Sequence, residues 1–427
     1  MLDSKPDLNA NLQSDIVEPN LKPKQKTVEL LSPAGSLHKL KTVIRYGADA
    51  VFLGGKTFNL RAKSHNFNKE ELKEAVDYCH SMGKKAFVTL NILAHNREIT
   101  ALPQFVKYLE QISVDAVIVA DMGVLDLVRE NSDLPIHIST QASTTNYRTV
   151  KMWKSLGAKR VVLARELSLN EISKIKNEVP DMELEVFVHG AMCMTYSGRC
   201  QLSSFFADRD GNRGACTNTC RWKFAVVEEK RPGEYFPVYE DENGATMFNS
   251  KDLCTVGFLD QIIATGVDSL KIEGRMKSLL YGATTAKVYR EAIDAYYAGT
   301  FHQENNRQKE LESFSHRGYT PGFYFGKLDA NATRFEGGYD MSHEMVGYVQ
   351  DVQEEDGTCS IELLNRLTKG GLLEFIKPNG DVVKHQVEEM INTKNGEIVS
   401  EAHSNTIIQI PLPKGVEAMD VIRQPIL

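Results

Sequence analysis

The chain lacks most of the features by which a function is ordinarily recognised. No apolar run approaches the roughly 20 residues that cross a bilayer, and the N-terminus has no basic, apolar and small-residue signal pattern, so no membrane partner is expected and the cytoplasm is the expected location. Positive charge is not in excess: 50 Lys and Arg stand against 57 Asp and Glu, a net charge of -7. That balance removes any global attraction to nucleic acid, although a local basic patch can bind phosphate on an acidic protein. There is no His-Glu-x-x-His helix and no Gly-x-Ser-x-Gly elbow, the commonest signatures of hydrolysis. Gly54-Gly-Lys-Thr57 is not a phosphate loop, because the position that must be glycine is Ala50, inside an apolar run. Internal repeats and low-complexity tracts are missing, which rules out a solenoid. Residues 1–26 are polar, carry Pro6, Pro19 and Pro23, and have no hydrophobic period; a disordered tail is expected there.

What the chain has instead is a concentration of cysteine. Four of its seven cysteines are Cys193, Cys200, Cys216 and Cys220, spaced Cys-x6-Cys-x15-Cys-x3-Cys. A reducing compartment disfavours disulfides, so the group reads as a metal site. All-thiolate ligation suits structural zinc and iron–sulfur clusters alike, and unligated thiols are the third reading. Cys216-x3-Cys220 also resembles the start of a radical-SAM triplet, but Lys223 stands where its third cysteine belongs. Cys79 falls on the buried face of a helix that opens at Asn68 with Glu71 as its capping-box partner, and it reads as a packed thiol. Cys359 reads the same way. Cys254 is surplus to a four-ligand site.

Short β-branched runs alternate with helical patterns at Val28 to Leu31, Asp49 to Leu53, Lys85 to Asn91, Ala116 to Ala120, Ile136 to Thr140, Arg160 to Ala164, Leu184 to Val188 and Ser269 to Ile272. Eight such units predict an α/β fold, a TIM-like (β/α)8 barrel over residues 27–300, with a doubly wound open sheet as the alternative. Active sites of such barrels lie at the C-terminal strand ends. The residues there are polar: Ser32, Asn59, Arg61, Asn91, His95, Asp121, Gln141, Arg165, Glu166, His189, Glu273 and Arg275. Each alone reads equally as a helix cap or loop residue.

The interval 190–267 is longer than the other connections and holds the four cysteines, beginning just past His189. A cysteine-rich insertion over the barrel mouth is therefore expected. Between residues 191 and 225 it carries Arg199, Arg209, Arg213, Arg221 and Lys223 against Asp208 and Asp210, either a solvated face or a contact for phosphate. Tyr235 to Tyr239 and Ala245 to Phe248 read as a hairpin. Residues 301–341 read as a linker and an ordered loop. From 342 to 427 the period changes to short alternating strands, broken by Pro378-Asn-Gly380, which predicts a small C-terminal β-domain.

The run Glu185-Val-Phe-Val-His-Gly-Ala-Met-Cys193, with Ser197-Gly-Arg-Cys200-Gln-Leu-Ser203, resembles the signature of the collagenase-like peptidase family (peptidase family U32). Further matches are Leu31-Ser-Pro-Ala-Gly35, Tyr46-Gly-Ala-Asp-Ala50, Arg165-Glu-Leu-Ser168, Asn249-Ser-Lys-Asp-Leu253, Lys271-Ile-Glu-Gly-Arg275 and His316-Arg-Gly-Tyr-Thr320. Within that family the chain is most similar to the prephenate-dependent tRNA uridine hydroxylases, which make 5-hydroxyuridine at the wobble position. The resemblance implies tRNA as partner, prephenate as co-substrate, an oxygen source other than O2, and a 4Fe-4S cluster on Cys193, Cys200, Cys216 and Cys220. No motif names an electron donor. Arg61, Arg165 and Arg275 are candidates to hold the carboxylates of prephenate, or else form rim salt bridges. His189 and Glu273 are candidates to handle protons, or else bond loop backbone. Tyr196, Phe205 and Trp222 are candidates to stack an unpaired base, or else pack in a core. The alternative function is a metal-dependent peptidase, for which no nucleophile with a paired base stands out.

Overall fold

The computed structural model describes residues 27–60, 66–193, 195–222, 240–241, 244–245, 250–302, 305–326 and 339–426. The expected tail, most of the expected hairpin and Arg61 lie outside them. Strands β1 to β8 are Glu29–Pro33, Ala50–Leu53, Lys85–Leu90, Ala116–Val119, Ile136–Ile138, Arg160–Val162, Glu183–Ala191 and Ser269–Ile272. All eight are parallel neighbours in sequence order. The sheet closes because β8 pairs on one side with β1, through Leu30 and Leu270, and on the other with β7, through Val186 and Leu270. The barrel, not the open sheet, is the fold.

Helices α1 to α6, Leu37–Arg45, Lys69–Ser81, Asn96–Gln111, Met122–Asn131, Tyr147–Ser155 and Leu169–Glu178, cross between the strands. Helix α2 starts at the expected cap: Asn68 Oδ1 accepts from the Glu71 N–H and Glu71 Oε2 from the Asn68 N–H. Its Leu72, Ala75, Val76 and Cys79 face inward, and burial pushes the Cys79 thiol up to about 12. α7 (Leu202–Ala207) belongs to the cysteine insertion; α8 (Leu259–Ala264) and α9 (Leu279–Tyr297) flank β8.

Side chains alternate along the strands. Outward residues such as Val51, Val88, Val117 and Leu270 pack under the helices. Inward, Leu31, Ala50, Phe52, Phe87, Ala116 and Ile118 form a separate apolar cluster, with charge beside it. Arg160 Nη1 donates to Glu29 Oε1 at 2.6 Å and to Glu185 Oε2 at 3.0 Å, and Lys271 Nζ donates to Glu185 Oε1 at 2.7 Å.

The C-terminal unit is a seven-stranded antiparallel sheet containing His343–Gln353, Thr358–Leu363, Leu372–Ile376, Val382–Gln386, Ile391–Asn392, Ile407–Pro411 and Val421–Pro425. Cys359 is buried in it. It is fastened to the barrel through Tyr46, whose buried hydroxyl donates to Ile376 O at 2.6 Å and accepts from the Val421 N–H at 3.0 Å. Arg45 and Lys377 both reach Asp420. Replacing Tyr46 with Phe removes one buried acceptor and one donor together and is expected to cost about 2 kcal/mol of unfolding free energy. Urea denaturation measures it, and a loss under about 0.5 kcal/mol would show that this seam is not held by the hydroxyl.

Candidate functional site

A cavity of about 440 Å³ opens at the C-terminal ends of the barrel strands. Phe52, Ile118, Phe187 and Lys271 line its barrel side, and Cys193, Cys200, Cys216 and Cys220 all line it from the insertion. None of the four is in a disulfide among the described residues. Spacing alone brought them together in sequence; the fold wraps the segment between them over one space.

The wrapping has identifiable fastenings. Glu166, just past β6, accepts from the Ser197 N–H at 2.9 Å and from its hydroxyl at 3.3 Å. Next to it Gly198, at φ +75°, approaches so closely that a Cβ would stand 2.0 Å from Gln141 O, which only glycine avoids. Asn212 Nδ2 donates to Cys200 O at 2.8 Å, and Arg213 reaches both carboxylate oxygens of Glu98 at 3.1 and 3.2 Å. A hydrogen bond from Arg97, with help from the His95 N–H and Arg213, holds the Glu98 carboxyl down at about 2. Glu98 therefore stays charged at neutral pH.

Four thiolates are the donor set of zinc and iron–sulfur sites. A single ion needs its ligands within about 2.3 Å of one point, and among the described residues no three Cys, His, Asp or Glu side chains could hold one metal ion together. A cluster would place each cysteine on a separate iron; the four thiols share the lining of one cavity. The Asn218 N–H points at Cys216 Sγ at 3.5 Å and the Ser203 hydroxyl at 3.8 Å. Donors of this kind stabilise negative charge on a ligating sulfur.

Among the described residues, Arg165, Lys271, Arg275 and Lys277 line the cavity with one carboxylate, Glu273, the charge of Lys271 being met by Glu185 behind the lining. Arg165 lies over the Phe187 ring, 3.8 Å from its centroid, and donates to Ala191 O at 2.9 Å; its nearest Glu273 oxygen is 3.9 Å away. Arg275 is buried, held by Asn59 Oδ1 at 2.7 Å and Thr89 Oγ1 at 3.3 Å. A Cβ on Gly54 would fall 2.1 Å from Arg275 Nη1, so that glycine makes room for the guanidinium.

Of the polar residues expected at the strand ends, Asn91, Gln141, Arg165, Glu273 and Arg275 line the cavity. Asn59 and Glu166 act one step back, on Arg275 and Ser197. Asp121 is an N-cap, accepting from the Gly123 N–H, and Ser32 is buried within β1. Lys271 and Lys277 were not anticipated; Lys271 could have been found from the inward period of β8.

His189, a candidate to handle protons, lies outside the described cavity lining. It sits 1% exposed among Tyr281, Tyr289, Phe314 and Tyr319, with Nδ1 3.4 Å from the Tyr289 hydroxyl. Burial pushes its ring down to about 3, with Asp252 only partly opposing, so it is neutral at pH 7. The strand does not end at Val188. It continues because Asp252–Cys254 pairs antiparallel with His189, Gly190 and Ala191, turning His189 into the wall. Cys254 shares that wall, 4.0 Å from the Tyr289 hydroxyl, with its thiol pushed up by burial to about 11.

Comparison with known proteins bears directly on these residues. The model of Peptidase family U32 matches residues 35–334, which take in β2 to β8 and the cysteine segment, and that of the family's C-terminal domain matches 341–423. The chain belongs to peptidase family U32. Among its U32 relatives, tRNA hydroxylation protein P of Escherichia coli (strain K12) is 38% identical over 431 residues, covering 91% of this chain and 94% of that one. tRNA hydroxylation protein P1 of Bacillus subtilis (strain 168) is 37% identical over 403 residues, covering 93% and 95%. A collagenase of Porphyromonas gingivalis (strain ATCC BAA-308 / W83) is 28% identical over 407 residues, covering 92% and 96%. No helix among the described residues is long and apolar enough to cross a membrane.

The His189 environment makes a pH prediction. Its folded value, about 3, lies below its ordinary 6.5, so the unfolded chain binds the proton more readily. The stability this confers is complete above pH 6.5 and is lost as pH falls from there toward 3. A His189→Asn variant should therefore lose less stability than the wild type between pH 7.5 and 5, read from urea midpoints at both. Equal losses would show that the ring is not held neutral by its surroundings.

Proposed function

We propose that this protein is a tRNA hydroxylase that converts the wobble uridine to 5-hydroxyuridine, with prephenate as co-substrate and a 4Fe-4S cluster held by Cys193, Cys200, Cys216 and Cys220. The observation that carries the reading is that four cysteines and four cations line one cavity at the mouth of the barrel, with a single carboxylate among them. Relatives 37–38% identical over nearly the whole chain are named for tRNA hydroxylation, which supports the same reading.

Prephenate is a dicarboxylate, and a cavity with this charge balance suits it. Arg165 and Arg275 offer planar, multiply donating groups for its carboxylates. Phe187 beneath Arg165 and Asn59 beside Arg275 fix the two guanidinium planes before substrate arrives, so little side-chain order is lost on binding. Lys277 adds charge at the rim, while the charge of Lys271 is met by Glu185. Glu273 Oε2, facing Arg165, is the carboxylate placed to accept or return a proton at the bound substrate. Its backbone is pinned by the Tyr281 hydroxyl, which donates to Glu273 O at 2.5 Å. When bound, the cluster supplies redox or Lewis-acid chemistry. A uridine must leave its stack to enter such a cavity, as is usual for enzymes acting on bases.

The peptidase reading draws on the family name and the collagenase relative. It has less support at the site, since no histidine is among the described lining residues to pair with a cysteine or serine.

Deleting the gene and digesting total tRNA to nucleosides tests the function. Loss of 5-hydroxyuridine derivatives is expected, with recovery by the wild-type gene but not by Cys193→Ala or Glu273→Gln. Unchanged nucleosides in a deletion strain without a paralogue would overturn the tRNA reading.

A further inference from the structure

The cysteine segment carries large aromatic side chains and arginines that are exposed. Phe205 is 83% exposed and Tyr196 is 60% exposed, although a short segment over a barrel has apolar surface close by to cover them. Tyr196 lines the cavity. Phe205 stands on α7 three residues after Leu202, which also lines the cavity, and residues i and i+3 of a helix are surface neighbours. Tyr196 thus sits at the cavity rim and Phe205 one helical turn from a residue that lines it. In sequence, Arg199 follows Tyr196 by three residues and Arg209 follows Phe205 by four. Arg199 and Arg209 are exposed, and neither makes an ion pair among the described residues, whereas Arg213 of the same segment is committed to Glu98. Asp208 and Asp210, also exposed, stand on either side of Arg209, so the stretch offers individual guanidinium contacts rather than a broad basic field.

We propose that Tyr196, Arg199, Phe205 and Arg209 form a platform for the unpaired nucleotides that flank the target base, with bases stacked on the rings and phosphates on the guanidinium groups. The proposal rests on the tRNA reading and assigns its binding surface. Aromatic faces interleaved with unpaired cations are what a single-stranded nucleic acid recognises, because every base has a face to stack and every linkage a charge to neutralise. Continuity with the cavity gives the platform its use: nucleotides held on either side present the base between them. An acidic protein would also be drawn to the arginines, but it gives no role to a ring as exposed as Phe205 beside the cavity.

The test uses the full chain, purified anaerobically, and an anticodon stem-loop RNA with uridine at the wobble position, read by fluorescence anisotropy across a salt series. Phe205→Ala should weaken binding about tenfold, the loss of one stacked base. The double variant Arg199→Ala/Arg209→Ala should weaken it further and lower the slope of log K against log salt by about 1.4, or about 0.7 for each single-strand phosphate no longer neutralised. Lys414→Ala, exposed on the β-domain, should bind as wild type. Circular dichroism confirms that the variants fold. If wild type binds and the Phe205 and double-arginine variants match it in affinity and slope, the platform is wrong while the tRNA reading stands. If wild type fails to bind the RNA, the tRNA reading falls and the platform with it. If the arginine variants keep RNA binding but slow reduction of the protein by an acidic iron–sulfur electron donor, the face belongs to a protein partner and the proposal is overturned.

Discussion

Two buried cations and two buried carboxylates set the geometry on which the rest of the molecule depends. Arg160 on β6 bonds Glu29 on β1 and Glu185 on β7, and Lys271 on β8 bonds Glu185 again, so the network ties β1, β6, β7 and β8 across the barrel interior. Burial alone would raise the Glu29 carboxyl, but Arg160 and Lys85 outweigh it and hold it below the ordinary carboxylate range. Such a network is not a large net source of stability, since desolvation offsets much of the attraction. Removing one member, however, strands a charge in the interior at a cost of about 3–5 kcal/mol. Its value lies in specifying which strands meet. Lys271 stands at both ends of this arrangement, bonded below to Glu185 and lining the cavity above.

From that closed frame the site follows by non-local fastening. The cysteine segment leaves β7 at Ala191 and is held to two separate crossover connections, by Glu166 after β6 and by Glu98 at the start of α3. Neither carboxylate touches the space it shapes. The segment's return, Asp252–Cys254, adds to the same edge of β7 from which the segment departed. Entry and exit of the insertion are thus locked together, and the thiols are suspended between. Gly190, at φ +113°, allows this crowding, because a Cβ there would stand 2.5 Å from Glu273 O.

The barrel was legible because its strands are short, β-branched and separated by helical periods, and all eight expected runs are strands within a few residues. The cysteine segment at the mouth was legible from its position after the seventh run. The inward charges were harder to read, since Glu29, Arg160, Glu185 and Lys271 occur singly within apolar stretches and look like strand ends until the two-residue period is applied. The place of His189 was hidden for a definite reason: the pairing that extends β7 comes from residues 252–254, far along the chain, and no local pattern announces it. Exposure of Phe205 was equally hidden, because an aromatic pair on a one-turn helix reads as core until the fold shows what lies over it.

The central claim is that the thiols and the anion-binding cations serve one cavity, so that whatever the cysteines hold senses what the arginines bind. The most direct measurement is the electron paramagnetic resonance spectrum of the reduced, anaerobically purified protein during titration with prephenate. A cluster on the four cysteines should give a signal that shifts and saturates as prephenate fills the neighbouring cationic space, and Arg165→Met should remove the shift while keeping the signal. A cluster signal unmoved by prephenate at saturating concentration would contradict the account, because it would separate the two halves of the site that the barrel mouth brings together.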